Sequence, residues 1–416
     1  MKKLFAFLLT IVMFTASLSG CSGGPAEAPS PSGTAPATSA GDADVAQTGS
    51  EPYKIGVFLR FNDEAGTRMR AVLEHYLESL NSQGGVNGHL IDAVYYDTEG
   101  DAAKTIDAFT RLVEEDKVLL AIGPTTSSCA LAVIDLCAEY EIPVITPQAT
   151  NTSITVDYGN EWFFRNSVAD IYHSYTLCDY IVKEMGCEKI AIMHETGTLG
   201  LGQYENFVAR MKDEYGMEPA IVQEWNEGDI DFKTQLLAVK NTDVDCIVFA
   251  GHEAELAIIV SQRLDVGISP DIPICGFSSM SSSDFYGVAG ESAVGAIFST
   301  TFSPTDTRED IQAFVNEYSS VVNGTLDHNA AQAYDTIVLI TEILGEVELG
   351  NTPDTLAADR TAIRDALANV SNWVGLTGVT TFGVSGDADS RDGKKESSIY
   401  RLESDYTWSS LWAPEG

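Results

Sequence analysis

Basic residues are scarce in this 416-residue chain: 24 Lys and Arg stand against 61 Asp and Glu, for a formal charge of −37. Such a surface repels a phosphate backbone, which excludes nucleic acid as a partner, and it is not drawn to anionic lipid headgroups. Metal-ligand patterns are missing too. The six histidines, at 75, 89, 173, 194, 252 and 328, are scattered, and none pairs with another at ligand spacing. There is no His-Glu-x-x-His, P-loop, Gly-x-Ser-x-Gly or Cys-x-x-Cys, so no metal, no cofactor and no enzymatic activity are expected. The glycines of Gly197-Thr-Leu-Gly-Leu-Gly202 have the order Gly-x-x-Gly-x-Gly. That misses the Gly-x-Gly-x-x-Gly of dinucleotide loops and reads as a tight turn into a helix. No disulfide framework is evident among the seven cysteines. Cys129 and Cys137 lie in one helical stretch, separated by a rise of roughly 12 Å against a limit of roughly 7 Å for a bridge. Cys178 and Cys187 fail similarly if their helix continues between them, and buried thiols are expected for the six cysteines after Cys21. Beyond residue 20, no apolar run reaches the roughly 20 residues of a membrane span.

Apolar material is plentiful, at 44% hydrophobic and 9% aromatic residues, which excludes disorder of the whole chain. Lys2 and Lys3 precede an apolar run from Leu4 to about Thr15, followed by small residues, the pattern of a secretory signal over residues 1–20. Leu18-Ser19-Gly20-Cys21 resembles the bacterial lipobox, which implies lipidation of Cys21. Residues 22–52, rich in Ser, Gly, Ala, Pro and Thr, read as a flexible tether with a mean reach of roughly 30 Å. The expected location is extracytoplasmic, anchored to the cell membrane by acyl chains.

From Tyr53 onward, short apolar runs alternate with amphipathic stretches. Strands are expected at Lys54–Leu59, Ile91–Asp97, Val118–Gly123 and Pro143–Thr146, and again at Lys189–His194, Ala220–Trp225, Cys246–Gly251 and Ile272–Gly276. Runs such as Val118-Leu-Leu-Ala-Ile-Gly lack alternation, as parallel strands buried on both faces do. Strand–helix–strand order in two series predicts an α/β chain of two doubly wound, three-layer lobes. Ligands in such sheets sit outside the carboxyl ends of the strands, so two facing lobes would enclose a cleft. Three later helical stretches, near 310–322, 329–344 and 361–370, precede strand patterns at Thr380–Phe382 and Ser398–Glu403.

Several short segments then carry a resemblance. Gly84-Gly85-Val86-Asn87-Gly88 leads into Ile91-Asp-Ala-Val-Tyr-Tyr-Asp97. Ala121-Ile-Gly-Pro124, Ile142-Pro-Val-Ile-Thr-Pro147 and Ala149-Thr150-Asn151 follow, and later Gly228-Asp-Ile-Asp-Phe232 and Ala333-Tyr334-Asp335. In order and spacing, from about Tyr53 to Glu403, the chain resembles the leucine/isoleucine/valine-binding family. These are extracytoplasmic solute-binding proteins of ABC importers with the type I periplasmic-binding fold. The resemblance implies two lobes joined by a three-crossing hinge, one of residues 53–170 and 302–379, the other of 171–301 and 380–416. It implies capture of a small carboxylate, a branched-chain or other amino acid, with permease subunits in the membrane as partners and a monomeric state.

The resemblance also implies the ligand residues. Ser127 matches the serine that holds a ligand carboxylate, within Thr125-Thr-Ser-Ser-Cys129 at a helix start. Free N–H groups and the helix dipole independently favour an anion there; the plainer role of Ser127 or Ser128 is an N-cap. Thr150 matches a second clamp on the carboxylate, or is a locally bonded turn residue. Gln148 and Ala149 flank it, Gln148 where a backbone carbonyl receives an ammonium. The second lobe departs from the family: Leu199 and His252, followed by Glu253, stand where rings are common. Ser278 aligns, across a one-residue insertion, with the acid that pairs with an α-ammonium. Arg60-Phe61-Asn62-Asp63 replaces a Pro/Thr/Gly-rich turn. Arg60 there would hold a second anion or pair with Asp63. The departures leave room for a non-amino-acid carboxylate or amide, and a sensing module feeding a receptor or kinase remains the alternative to an importer subunit.

Overall fold

The computed structural model describes residues 50–155, 160–322, 325–382, 391–394 and 396–413; the expected signal, Cys21 and the tether up to residue 49 lie outside them. The chain opens with β1 (Tyr53–Leu59), α1 (Glu64–Ser82), β2 (Ile91–Asp97), α2 (Ala102–Glu114), β3 (Leu120–Ile122), α3 (Ser127–Glu139), β4 (Val144–Thr146) and β5 (Phe163–Val168). It crosses into α4 (Asp170–Asp179), β6 (Ile190–Glu195), α5 (Thr198–Tyr215), β7 (Ile221–Trp225), α6 (Lys233–Lys240), β8 (Cys246–Ala250), α7 (Glu253–Asp265), β9 (Ile274–Gly276), α8 (Ser283–Ala289) and β10 (Ile297–Thr300). It returns through α9 (Glu309–Tyr318), α10 (His328–Glu346), α11 (Leu356–Ala368) and a small hairpin, β11 (Trp373–Gly375) with β12 (Gly378–Thr380). β13 (Asp392–Lys394), β14 (Ser398–Leu402) and β15 (Trp408–Trp412) complete it.

Two sheets result. One has the order β13-β5-β4-β3-β1-β2 and is parallel throughout. The other has the order β15-β14-β10-β9-β8-β6-β7, parallel except for β14 and β15. Burial on both faces explains the unbroken apolar runs. Ile55, Val57 and Leu59 of β1 pack with α1 and α10, whereas Phe58 points the other way into α2 and α3. In β6 and β8, Met193 and Phe249 share one core and Ile192 and Val248 the opposite one. Each such side chain contributes roughly 1.5–3 kcal/mol of burial.

The last expected boundary shifts. β13 pairs in parallel with β5 of the first sheet, and Thr381 N–H donates to Gly393 O, so residues 380–382 and 391–394 belong there instead of with the second lobe. Asp392 and Lys394 of β13 carry charge inside the fold. They are buried because Arg165 of β5 pairs with Asp392, and Asp335 of α10 pairs with Lys394 at 3.0 Å. The strand pattern at Thr380–Phe382 is in fact the end of the hairpin, with Phe382 edge-on to Phe164 at 5.2 Å.

The six cysteines of the body are buried free thiols, with Cys246 and Cys275 on neighbouring strands 3.6 Å apart at sulfur. Among the described residues no helix is long and apolar enough to cross a membrane.

Candidate functional site

Strand order reverses beside β1 in the first sheet, between β3 and β2, and beside β6 in the second, between β8 and β7. Loops at such switch points splay apart and leave a crevice. The loops after β1 and β3 meet where Arg60 N–H reaches Thr125 Oγ1 at 3.4 Å. The loops after β6 and β8 meet where His252 Nδ1 lies 2.6 Å from Glu195 Oε2. Between these two loop sets is a cavity of about 370 Å³, a size suited to a small molecule.

The first lobe supplies Arg60, Asp63, Thr126, Ser127, Gln148 and Thr150 to the wall. Helix α3 begins at Ser127, and its N-cap is Thr126, whose side chain makes no cap bond. Neither serine is therefore the cap. The first-turn N–H groups of α3 are uncapped at the cavity, and the buried Thr126 Oγ1 has no partner. That end of the cavity is electropositive by construction. Ser127 is buried and its Oγ accepts from Asn151 N–H at 3.3 Å. Thr150 lies beside Asp170, whose carboxyl burial pushes up to about 6 despite hydrogen bonds from Gln203 and Thr150. Gln148 Nε2 donates to Asn329 Oδ1 at 2.6 Å. Arg60 lines the cavity and pairs with Asp63 at 3.0 Å, so both of its sequence readings retain a basis. Asp63 also caps α1 by accepting from Gly66 N–H at 2.7 Å.

The second lobe supplies Leu199, Gln203, Glu227, His252, Glu253 and Ser278. His252 is the N-cap residue of α7. Burial works against its charge but is outweighed by Glu195, so the imidazolium pKa rises to about 9, and Glu195, despite its own burial, is held below the usual carboxylate range. Burial pushes the Glu253 carboxyl up, partly offset by His252. From α10, His328 and Gln332 reach the cavity one turn apart. Burial lowers His328 to about 4, so it is neutral, and its Nδ1 sits 2.9 Å from Ser281 Oγ.

Three residues expected at the site are placed elsewhere. Ser128 is exposed one step around α3, turned 100° from Ser127. Ala149 is buried in the core, its N–H donating to Thr146 Oγ1 at 3.0 Å. Phe61 packs against Tyr95, with the Arg70 guanidinium 5.2 Å from its ring. Conversely, Gln203, Glu227, Asp284 and Gln332 had no signal in the sequence. They come from helices and a loop whose inward face depends on how the two sheets oppose each other.

Contacts flank the cavity from lobe to lobe. Arg68 of α1 makes a bidentate pair with Asp284 of α8, at 3.0 and 2.9 Å, and also reaches Asp327, the N-cap of α10, at 2.8 Å. Asn151 Nδ2 donates to Thr198 O at 2.8 Å, and Asn206 Nδ2 to Thr152 Oγ1 at 3.0 Å. Of the glycines in the 197–202 segment, Gly202 serves these approaches, while Gly200 lets α5 close on β6 within the second lobe. A Cβ on Gly200 would strike the Glu195 backbone, and one on Gly202 would strike the Asn151 side chain. Among the described residues, no group of three His, Cys, Asp or Glu side chains is placed to hold a metal ion.

A family model described as Periplasmic binding protein matches residues 53–405. The Leu/Ile/Val-binding protein homolog 3 of Brucella melitensis is 25% identical over 240 residues, 58% of this chain and 64% of that protein, so the match spans a little under two thirds of the relative's length. Among solved structures, a branched-chain amino acid transporter substrate binding protein from Streptococcus pneumoniae, in complex with isoleucine, superposes with a TM-score of 0.76 at 24% identity, covering 87% of this chain and 99% of that one. A solute binding protein of an ABC transporter from R. palustris, in complex with benzoate, gives 0.75 at 20% identity, covering 87% and 97%. At these identities the likeness to the two structures is one of fold.

Proposed function

The chain belongs to the periplasmic binding protein family, with the type I fold of two mostly parallel sheets flanked by helices, and from that premise we propose that it is the extracytoplasmic solute-binding subunit of an ABC importer. It captures a small carboxylate between its lobes and performs no chemistry on it. The observation that carries this reading is the uncapped start of α3 facing a cavity walled by both lobes. Carboxylate oxygens placed there accept from the free N–H groups, with Ser127 and Thr150 beside them, and His252, Glu253 and Ser278 select from the opposite wall. Isoleucine and benzoate, the ligands of the two structural relatives, are both carboxylates. Closure around the ligand presents both lobes to the permease subunits, so occupancy is the transported signal. The protein acts as a monomer, held at the membrane by lipidated Cys21 and the tether that follows.

A thermal-shift panel of amino acids, aromatic acids, dicarboxylates and amides tests the site. A true ligand stabilises by about 2.7 kcal/mol at a hundredfold excess over its Kd. Ser127→Ala is expected to weaken that ligand at least tenfold, with a loss of unliganded stability no larger than about 1–3 kcal/mol, that of the Asn151 N–H left without its acceptor. If no carboxylate stabilises the protein and Ser127→Ala changes nothing, the site assignment fails. Metabolic labelling with an alkynyl fatty acid, lost in Cys21→Ser, tests the anchor.

A further inference from the structure

The two ends of the cavity differ in charge. At the α3 end the free N–H groups and Thr126 Oγ1 await an acceptor. Across from them the wall is acidic, with Glu227, Glu253, Glu255 and Asp284. The nearby cations are already engaged. Arg60 pairs with Asp63 at 3.0 Å, His252 with Glu195 at 2.6 Å, and Arg68 is shared between Asp284 and Asp327. Glu255 is occupied in part by Gly228 N–H at 2.8 Å. Glu253 remains. It is half-buried, lines the cavity, and makes no ion pair among the described residues; its carboxylate is met by its own backbone N–H and by the charge of the neighbouring His252, which is itself bound to Glu195.

Two buried acceptors point to the same ligand chemistry independently of the acids. Gln203 is 1% exposed and lines the cavity; its Nε2 is spent on Asp170 at 3.2 Å, which fixes the amide orientation and leaves Oε1 without a partner. Gln332 is 3% exposed and also lines the cavity, and its Oε1 is likewise unpartnered. A branched aliphatic side chain enclosed here would leave a desolvated carboxylate and two acceptors unsatisfied, which is unfavourable for each of them. A group with several N–H donors and a positive charge satisfies all three. Ser278, at the position aligned with the family's ammonium-binding acid, carries no charge, so the acidic wall meets a cation from a different direction.

Resting on the solute-binding reading above, we infer that the ligand is an amino acid or related carboxylate bearing a side-chain ammonium or guanidinium, its carboxylate at the start of α3 and its cation on Glu253. The Gln203 and Gln332 side-chain oxygens accept the remaining N–H groups.

Isothermal titration of the full chain with L-lysine, L-ornithine, L-arginine, L-leucine and benzoate tests this, with Glu253→Gln and Ser127→Ala variants alongside. The expected result is at least one cationic amino acid bound 100-fold or more tighter than L-leucine. Lysine and ornithine against arginine separates ammonium from guanidinium. Glu253→Gln, with unchanged circular dichroism and melting point, is expected to weaken the cationic ligand at least 30-fold and leucine less than threefold. Ser127→Ala is expected to weaken all carboxylates alike. If leucine or benzoate binds as tightly as every cationic compound, or if Glu253→Gln weakens all ligands equally, the inference is overturned while the solute-binding reading stands. If no compound in this panel binds, the inference is overturned, and the wider thermal-shift panel decides the solute-binding reading separately.

Discussion

The pair of His252 and Glu195 ties the cavity wall to pH, and its effect can be worked from the geometry. His252 Nδ1 sits 2.6 Å from Glu195 Oε2, and the side chains are 24% and 1% exposed. Burial alone would hold the imidazole below its ordinary 6.5; the Glu195 hydrogen bond and charge win and raise it to about 9. A rise of roughly 2.5 units corresponds to about 3 kcal/mol of preference for the charged form in the folded state. A raised folded pKa stabilises in full below the unfolded value of about 6.5, and that contribution is lost as pH climbs through 9. Glu195, lowered from its ordinary 4.5, adds the acid limb of the same interaction: stability present above about 4.5 is lost as pH falls through its folded value. The two limbs describe one pair and are not summed. Glu195→Gln removes the main partner and leaves only the Glu253 and Glu227 charges against burial, so His252 should then titrate well below 9. The assay is urea unfolding of wild type and Glu195→Gln at pH 6 and pH 10, with histidine NMR titration assigned through His252→Gln. The expected stability gap is about 3 kcal/mol at pH 6, shrinking by most of that at pH 10. A wild-type His252 that titrates at or below 6.5, or a gap that is the same at both pH values, refutes the reasoning.

Two further outcomes follow from buried contacts. Asp392→Asn leaves the Arg165 guanidinium, fully buried like its partner, without its counter-charge; it should cost about 3–5 kcal/mol in urea unfolding, while a surface control such as Glu74→Gln, in an exposed helical pair, stays within about 0.5 kcal/mol. Gly202→Ala places a Cβ against the Asn151 side chain where the lobes touch. It should weaken ligand binding several-fold in titration calorimetry, with a melting-point loss under about 1 kcal/mol equivalent, because the clash sits between the lobes and outside either core.

Strands with a plain apolar pattern were legible in the sequence because both faces of each sheet are buried, as in β1, β3, β6 and β8. β5 was not, since Arg165, Asn166 and Ser167 interrupt it. Those polar groups are tolerated only because distant residues satisfy them: Asp392 takes Arg165, and Thr336 and Thr380 take Asn166. β13 was lost for the same reason, and with it the division between the lobes near residue 380. At the site, residues just after strand ends, in a loop or in the first turn of the next helix, could be read: Ser127, Thr150, Leu199, His252 and Ser278 all reach the cavity. Side chains farther from a strand end could not. Gln203, Asp284 and Gln332 join the wall only through the meeting of two sheets, a long-range arrangement that no local pattern encodes.

Arg68 has a consequence for the kinetics of exchange. It is already desolvated against Asp327 on its own lobe, at 2.8 Å, so when the lobes meet only Asp284 must shed water to complete the bidentate fork. Closure therefore faces a low barrier. Escape does not: both charge-assisted bonds of the fork must rupture before the cavity opens on that side. On the solute-binding reading, affinity for an occupant should then be governed chiefly by residence time, with capture rate the lesser factor. Because Asp284 is the partly exposed member, at 24%, added salt should shorten that residence time before it slows arrival.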